Sequence, residues 1–347
     1  MDRVKIIQKE SILDSMVKVS VVMPCYNEAK YIGQCLDSII ANDYPKGNLE
    51  ILIYDGGSTD KTLEILDKYS KKYPFITIKY NPKKIQAAAM NLGINDTKGN
   101  IIIRMDAHCW YSKDYISKVV KLLNETDAVN VGGAQTGKGN TYFTHSLALA
   151  MPNPFVSGNA AYRSDKNIQQ GVDTVYLGAW HKKDLIAIGG FDESFFVNED
   201  YELNYRLRKK GGKIIFCPEI KSIYYVRASF VKLLKQHFRY GFWKVKTLKK
   251  HPASLKLRQM AAPLFLIALL LSFIFYTVGF RTPLWMLSCC YAFVFMLLFK
   301  SDLNMNQIRY LPAIFIIALF IHISWGIGFW SGLIFWTVSY KKLRRQK

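Results

Sequence analysis

An α/β domain built on a mostly parallel sheet, continued by a basic amphipathic segment and a membrane domain, is the architecture this 347-residue chain predicts. Two patterns carry the first half. Short apolar or β-branched runs alternate with segments of helical period between residues 18 and 213, and the polar groups Asn27-Glu28, Asp55 and Asp106 each follow one of those runs. The third pattern is a change of solvent after Arg258, where long apolar stretches begin and acids nearly vanish.

The elements follow in order. Residues 19–24 form a β-branched run halted by Pro24, and over 28–40 the side chains of Tyr31, Ile32, Cys35, Leu36 and Ile39 fall at helical spacing. Residues 49–54 predict a second strand, and Ser58-Thr59-Asp60 the cap of a helix reaching Tyr69. A third strand at 76–80, a helix around 87–92 and a fourth strand at 101–105 complete the alternation, which requires helices on both faces of a parallel sheet. In such sheets ligands gather beyond the carboxyl ends of the strands, where Asn27, Glu28, Asp55 and Asp106 all fall. Further on, Asn198, Glu199 and Asp200 open a helix carrying Leu203, Tyr205, Arg206 and Leu207.

The expected organisation is an N-terminal extension over 1–17, the α/β domain over 18–225, a basic amphipathic segment over 226–258 and a membrane domain over 259–347. Charge divides in the same way. From Lys221 onward 19 Lys and Arg face the single acid Asp302, whereas the first 220 residues carry 28 against 25. These cations stand before, between and after hydrophobic runs, the placement expected against anionic lipids at a cytoplasmic face and not along a nucleic acid. Residues 229–250 interleave Phe230, Leu233, Leu234, Phe238 and Phe242 with seven Lys or Arg, the composition of a helix lying in the membrane interface.

Of the apolar stretches, 261–280 is long enough to span, 284–299 is short at 16 residues and 311–338 is long at 28. Three spans would separate the basic tail 341–347 from the cytoplasmic side. Two alternatives keep them together: the long segment folds as a hairpin or re-entrant element, or one segment lies in the interface. Arg281-Thr282-Pro283 fits a tight turn between the first two stretches. Residues 1–16 are charged and lack the apolar core of about 7–15 residues of a cleavable signal, so the α/β domain is expected on the cytoplasmic side of the cell membrane, in a multi-pass protein. Cys25, Cys35, Cys109, Cys217, Cys289 and Cys290 show neither a paired framework nor CxxC spacing and read as reduced packing residues.

Rival nucleotide folds fail on their motifs. No GxGxxG follows the first strand, which excludes a dinucleotide-binding dehydrogenase. Residues 132–139 nearly match a phosphate loop, but Gly139 stands where Ser or Thr would hold magnesium, so the stretch reads as a mobile glycine-rich loop. Residues 151–163, rich in Pro, Gly and Asn, read as a long loop beside the strand-end polar groups, for substrate binding or as a lid.

Taken together, Val22-Met23-Pro24-Cys25-Tyr26-Asn27-Glu28, Tyr54-Asp55-Gly56-Gly57-Ser58-Thr59-Asp60, Met105-Asp106-Ala107-His108 and Gly189-Gly190-Phe191-Asp192-Glu193 with Asn198-Glu199-Asp200-Tyr201-Glu202-Leu203 resemble an inverting family 2 glycosyltransferase. Within that family the pattern is closest to the succinoglycan-synthesis ExoA type, over roughly residues 18–250. The resemblance implies a GT-A, Rossmann-like fold, a nucleotide-sugar donor and a divalent cation. Asp55 matches the carboxylate that hydrogen-bonds the base, usually uracil, with Pro24, Tyr26, Asn27 and Glu28 beside it at the donor site; Gly56 stands where most members have a second Asp. Asp106 and His108 match the metal motif, with His in its last position, a donor set that suits Mn2+ better than Mg2+. His108 either binds the metal directly or touches a diphosphate oxygen while Asp106 binds alone; the donor's own phosphates complete the coordination.

Asp200 matches the catalytic base, with Glu199 beside it. A sugar hydroxyl is a poor nucleophile, and a carboxylate within hydrogen-bond reach removes its proton as C1 is attacked. Gln236, Arg239 and Tyr240 resemble the QxxRW motif of membrane polysaccharide synthases, with Tyr for Trp, and imply a contact to the leaving diphosphate. His181 matches a position near the acceptor. Three readings follow: a membrane-anchored transferase adding a sugar from a UDP-sugar to a lipid-linked or polysaccharide acceptor, a processive polysaccharide synthase, and a non-catalytic scaffold. The retention of Asp55, Asp106 and Asp200 together favours an enzyme.

Overall fold

The computed structural model describes residues 17–158, 160–163, 168–226, 229–299 and 305–345; the N-terminal reading over 1–16 lies outside them. Along the chain come β1 (Val19–Cys25), α1 (Ile32–Ile40), β2 (Leu49–Asp55), α2 (Thr62–Lys72), β3 (Ile76–Tyr80), α3 (Gln86–Asp96), β4 (Ile101–Arg104), β5 (Cys109–Tyr111), α4 (Tyr115–Glu125), β6 (Ala128–Lys138), α5 (Tyr142–Ala150) and α6 (Pro154–Ser157). There follow β7 (Gln170–Gly171), β8 (Tyr176–His181), α7 (Lys182–Ala187), α8 (Glu199–Lys209), β9 (Lys213–Tyr225), α9 (Phe230–Lys250), α10 (Ala261–Thr277), α11 (Thr282–Phe299) and α12 (Leu311–Arg345). They form two compact units. The first takes the chain up to Thr136 together with Ala161–Tyr225, and the second takes Gly137–Ala160 with everything from Val226 on.

The first unit is organised by one mixed sheet in the order β3-β2-β1-β4-β8-β6-β9-β5, with β7 on β9. The predicted parallel arrangement holds for β3, β2, β1 and β4; from β8 onward the pairing is antiparallel. Strand alternation sorts the side chains to two faces. Val19, Val21, Met23, Ile51, Ile53, Ile101 and Ile103 pack with Ile32, Cys35, Leu36 and Ile39 of α1 and Ile116, Val119, Val120 and Leu123 of α4. Val22, Leu52, Tyr54 and Ile102 pack on the other face with Ala87, Ala89 and Met90 of α3 and Leu203 and Leu207 of α8. Helices on both faces are why these strands read as continuous apolar runs. Cys25, Cys35 and Cys109 are buried within this core, and burial pushes their thiols up, as for packing residues.

One expectation is corrected here. Residues 132–138 are not a mobile loop but part of β6. The glycines serve close backbone approach: a Cβ built on Gly133 would overlap the Ile220 carbonyl oxygen and lie 2.6 Å from the Ile220 side chain, and one on Gly132 would lie 2.6 Å from Val175 Cβ. Gly133→Ala forces β6 and β9 apart and is expected to destabilise the protein by about 2–3 kcal/mol, read as a lowered thermal midpoint.

Among the described residues of the second unit three helical stretches, Leu257–Thr277, Thr282–Phe299 and Asn306–Val338, are long and apolar enough to cross a membrane. Leu264, Leu270, Leu271, Phe273, Ile274 and Trp285 are exposed on them, a surface that associates with a bilayer. α12 is one continuous helix of 35 residues, so the hairpin alternative for the long segment does not apply. Glycines also set how α9 packs. A Cβ at Gly241 would overlap the Trp325 carbonyl, one at Gly328 the Phe238 carbonyl, and one at Gly332 would lie 2.6 Å from the Phe242 carbonyl, so α9 and α12 touch backbone to backbone. Leu233, His237, Gly241, Lys244 and Val245 are buried, while Lys232, Lys235, Arg239, Lys249 and Lys250 remain exposed. The segment read as a long loop begins instead with a capped turn in this unit: Asn153 Oδ1 accepts from the Phe155 amide at 2.9 Å, opening α6, and its Nδ2 donates to the Leu298 carbonyl at 2.9 Å.

Candidate active site

The carboxyl ends of β1, β2 and β4 bring the predicted polar groups to one edge of the parallel half-sheet. At β2, Asp55 is 3% exposed, and its carboxylate organises the turn it opens. Oδ2 accepts from the Gly57 and Ser58 amides, both at 2.8 Å, and Oδ1 from Ser58 Oγ at 2.5 Å. Gly57 stands at φ +83°, a left-handed conformation that glycine adopts freely. Ser58 Oγ accepts in turn from the Asn27 amide at 2.8 Å, and Asn27 Oδ1 accepts from the Thr59 amide at 2.8 Å, which ties the loop after β1 to the turn after β2. With three acceptor positions of about four filled, Asp55 retains one. Pro24 pairs with Tyr54 near the end of β1, and the exposed ring of Tyr26 lies against Gly56, whose built Cβ would meet Tyr26 Cδ2 at 3.5 Å.

The end of β4 builds the second group. Arg104 and Asp106 stand two residues apart, hence on the same side of the chain in extended conformation. Arg104 Nε donates to Asp106 Oδ1 at 3.3 Å, Nη1 to Glu199 Oε1 at 3.0 Å and Nη2 to Gln86 Oε1 at 3.1 Å. Asp106 Oδ2 accepts from the Tyr176 hydroxyl at 2.9 Å, and its amide donates to Tyr111 OH at 2.8 Å. Burial works to raise the Asp106 carboxyl, but the Arg104 guanidinium, His108 and the Tyr176 hydroxyl outweigh it and hold it below the usual carboxylate range. Glu199 opens α8 after Asn198, at φ +66°. Its burial, against the pull of Arg104 and with the push of neighbouring Asp200, lifts its carboxyl to about 7. Asp200 is half-buried, and its Oδ1 accepts from the Tyr201 amide at 2.7 Å.

His108 Nδ1 lies 3.0 Å from Glu28 Oε1, and its ring meets Tyr224 edge-on with centroids 5.2 Å apart. The structure therefore brings Glu28 to His108, and Asp106 to Glu199 and Asp200 through Arg104. It does not bring His181 there. β8 runs antiparallel to β4, with His181 paired to Ile101 at the far end of that strand; Tyr176, at the opposite end of β8, is the residue that reaches Asp106. Gln236, Arg239 and Tyr240 lie on α9 of the second unit, where Gln236 Nε2 donates to Tyr240 OH at 2.6 Å and Arg239 is exposed.

Among the described residues no three His, Cys, Asp or Glu side chains converge to hold a metal ion by themselves. Asp106 and His108 fit a divalent cation only as a two-residue set completed by a ligand's oxygens, a set in which the imidazole already has a carboxylate partner. Sequence reasoning missed Arg104, Gln86 and Tyr176. Arg104 carried a signal, as a cation inside a run covered on both faces; Tyr176 carried none, because only the antiparallel pairing brings it to Asp106.

The chain matches the family model described as Glycosyl transferase family 2 over residues 20–242. It is 32% identical over 320 residues to the Succinoglycan biosynthesis protein ExoA of Rhizobium meliloti (strain 1021), covering 90% of this chain and 94% of that protein. It is also 32% identical over 241 residues to the dolichyl N-acetyl-alpha-D-glucosaminyl phosphate 3-beta-D-2,3-diacetamido-2,3-dideoxy-beta-D-glucuronosyltransferase of Methanococcus voltae, covering 67% of this chain and 74% of that one. Its fold is similar to that of the mannosyltransferase PcManGT from Pyrobaculum calidifontis, solved in complex with GDP-Man and Mn2+, with a TM-score of 0.61, 20% identity and 88% of each chain covered. The mixed sheet is thus the GT-A-like arrangement of glycosyltransferases, and the chain belongs to glycosyl transferase family 2, whose matched relatives act in glycan biosynthesis.

Proposed function

We propose that the protein is a membrane-anchored, inverting glycosyltransferase that moves a sugar from a UDP-sugar to a lipid-linked or polysaccharide acceptor in cell-surface glycan synthesis. Its transferase unit faces the cytoplasm, and the exposed cations of α9 meet anionic lipids. One observation carries the reading: Arg104 joins the metal-motif carboxylate Asp106 to Glu199, next to Asp200, at the carboxyl edge of a parallel half-sheet. A purely structural sheet has no use for two carboxylates held on one guanidinium at that edge.

In this reading Asp200 accepts the proton of the acceptor hydroxyl as the oxygen attacks C1 from the face opposite the nucleoside diphosphate. An α-linked donor then yields a β-glycoside. Asp55 offers its remaining acceptor position to a ring N–H of the base, beside Pro24, Tyr26 and Asn27. A divalent cation, Mn2+ before Mg2+, held by Asp106, His108 and the donor's phosphates, supplies charge neutralisation at the leaving diphosphate. Arg104 keeps Asp106 ionised.

The detergent-solubilised full chain is expected to release UDP from one member of a UDP-sugar panel in the presence of Mn2+, and to lose that release with EDTA. A parallel panel of GDP-sugars reports the base. Metal-independent turnover, or turnover with GDP-sugars alone, would replace the corresponding part of the reading; long products on a gel would favour the processive synthase.

A further inference from the structure

We infer that the protein crosses the bilayer twice, through α10 and α11, and that α12, for all its length and apolarity, lies beside α9 along the cytoplasmic interface with its exposed stripe in the lipid. The inference rests on the membrane-anchored part of the reading above and not on its transfer chemistry. It returns the basic end of α12, Lys341-Lys342-Leu343-Arg344-Arg345, to the side on which the cations of α9 meet anionic head groups.

The packing of α9 on α12 carries the argument. The two helices run side by side in the same direction: Phe230 meets Phe320 with ring centroids 5.4 Å apart, Ser324 Oγ donates to the Leu234 carbonyl at 2.6 Å, and Trp336 Nε1 donates to the Phe242 carbonyl at 3.2 Å. Lys249 Nζ donates to the Trp336 carbonyl, and Lys246 lies between the Trp243 and Trp336 rings, 5.1 and 5.0 Å from their centroids. An upright α12 would therefore draw α9 and its seven Lys and Arg into the hydrocarbon, where cations are excluded. The parts of α12 outside this contact, 311–319 and 337–345, rise only about 13 Å each, against a hydrocarbon core of about 30 Å. Neither can span.

Exposure separates the helices in the same way. On α10, Leu270, Leu271, Phe273, Ile274, Phe275 and Tyr276 are exposed within seven consecutive residues, hence on every side, as a helix surrounded by lipid requires. On α12, Ile316, Phe320, Ile327, Ile334 and Val338 form one stripe within about 40° around the axis, widened near its end by Leu333 and Phe335. Ile314, Ile317, Ala318, Ile321 and Phe329 are buried on the opposite side. Tryptophan placement agrees. Trp325 stands in the middle of the apolar stretch 311–338 and would sit at the bilayer centre of an upright helix, whereas a helix lying in the interface keeps Trp325, Trp330 and Trp336 all at head-group depth. The hairpin instead carries its interfacial groups at its tip: Arg281, the one Lys or Arg between residues 259 and 299, lies over the Tyr276 ring at 5.9 Å, with Trp285 one turn beyond. From Leu257 to Thr277 the helical stretch rises about 31 Å, the depth of one crossing.

The test places single cysteines in the full chain, expressed in a bacterial cell membrane, with Cys289 and Cys290 changed to Ser, and treats intact and permeabilised cells with a membrane-impermeant maleimide. Phe280→Cys, at the hairpin tip, is expected to label in intact cells, and Leu343→Cys only after permeabilisation. A labelled Leu343→Cys in intact cells means three crossings, and a Phe280→Cys closed to the reagent until permeabilisation means that the hairpin does not cross; either overturns the inference. Nitroxides on Ile316→Cys, Ile327→Cys and Ile334→Cys, with depth read in vesicles from relaxation by oxygen and by a water-soluble nickel chelate, are expected to report one shared depth. A depth that changes steadily from 316 to 334, about 27 Å along the axis, shows an upright α12 and overturns it as well. Alkaline carbonate washing keeps the two readings apart: a wild-type chain that stays in the membrane leaves the anchored transferase standing whatever the labels show, and one that washes off removes the anchor and this inference together.

Discussion

Asp200→Asn is expected to lower the turnover of sugar transfer about 10²- to 10⁴-fold, roughly 3–5 kcal/mol in the barrier, while nucleotide affinity stays within about two-fold. The substitution keeps the shape of the side chain, and the amide oxygen can still accept from the Tyr201 amide. What it removes is the ability to take a proton from the acceptor hydroxyl. It also removes one of the charges that push Glu199 upward, so folding stability should not fall. The effect therefore belongs to turnover alone, which separates it from a folding defect. Nucleoside diphosphate release with saturating donor and acceptor, set beside nucleotide binding by titration calorimetry, makes the measurement. A loss below ten-fold with intact binding would show that Asp200 is not the base.

Much of this arrangement was legible because the residues that make it also break local patterns. Asp55 and Asp106 interrupt apolar runs at the point where parallel strands end, and the helix opened by Glu199 and Asp200 announces itself by acids in its first turn. The parallel strands were readable for a related reason: a strand covered on both faces has no polar register to blur. The antiparallel half was not. β6 contains Gly132 and Gly133, whose job is to let neighbouring strands approach, and glycine in a strand reads locally as a turn. His181 lies away from the other predicted groups because a motif fixes position along the chain, not the end of an antiparallel strand to which it maps. The partners of Arg104 come from α3 and α8, far apart in sequence, so only the fold could join them.

Arg104→Met is expected to destabilise the protein by about 3–5 kcal/mol and to lower the thermal midpoint by roughly 10 °C, with sugar transfer lost as well. Arg104 is 7% exposed, Asp106 7% and Glu199 4%, so the substitution leaves two buried carboxylates without their cation. Such a site relieves itself by taking up a proton, and Glu199, already lifted to about 7 against the pull of Arg104, is the group poised to do so. The sign of the pH dependence follows. A carboxyl whose folded pKa is raised above its unfolded value of 4.5 contributes stability that is fully present below 4.5 and is lost as pH rises through about 7. In Arg104→Met the raising is larger, so the loss continues to higher pH, and the variant should be closest to wild type in mild acid and furthest from it in mild alkali. Adding Glu199→Gln removes the titrating group: the double variant is expected to recover part of the lost midpoint and to show a flatter pH profile than Arg104→Met alone. Thermal unfolding of the four proteins of this cycle at several pH values between 5 and 8.5 measures both effects. If the Arg104→Met deficit is independent of pH, the cost lies in lost packing, and the guanidinium is not what keeps Asp106 and Glu199 together.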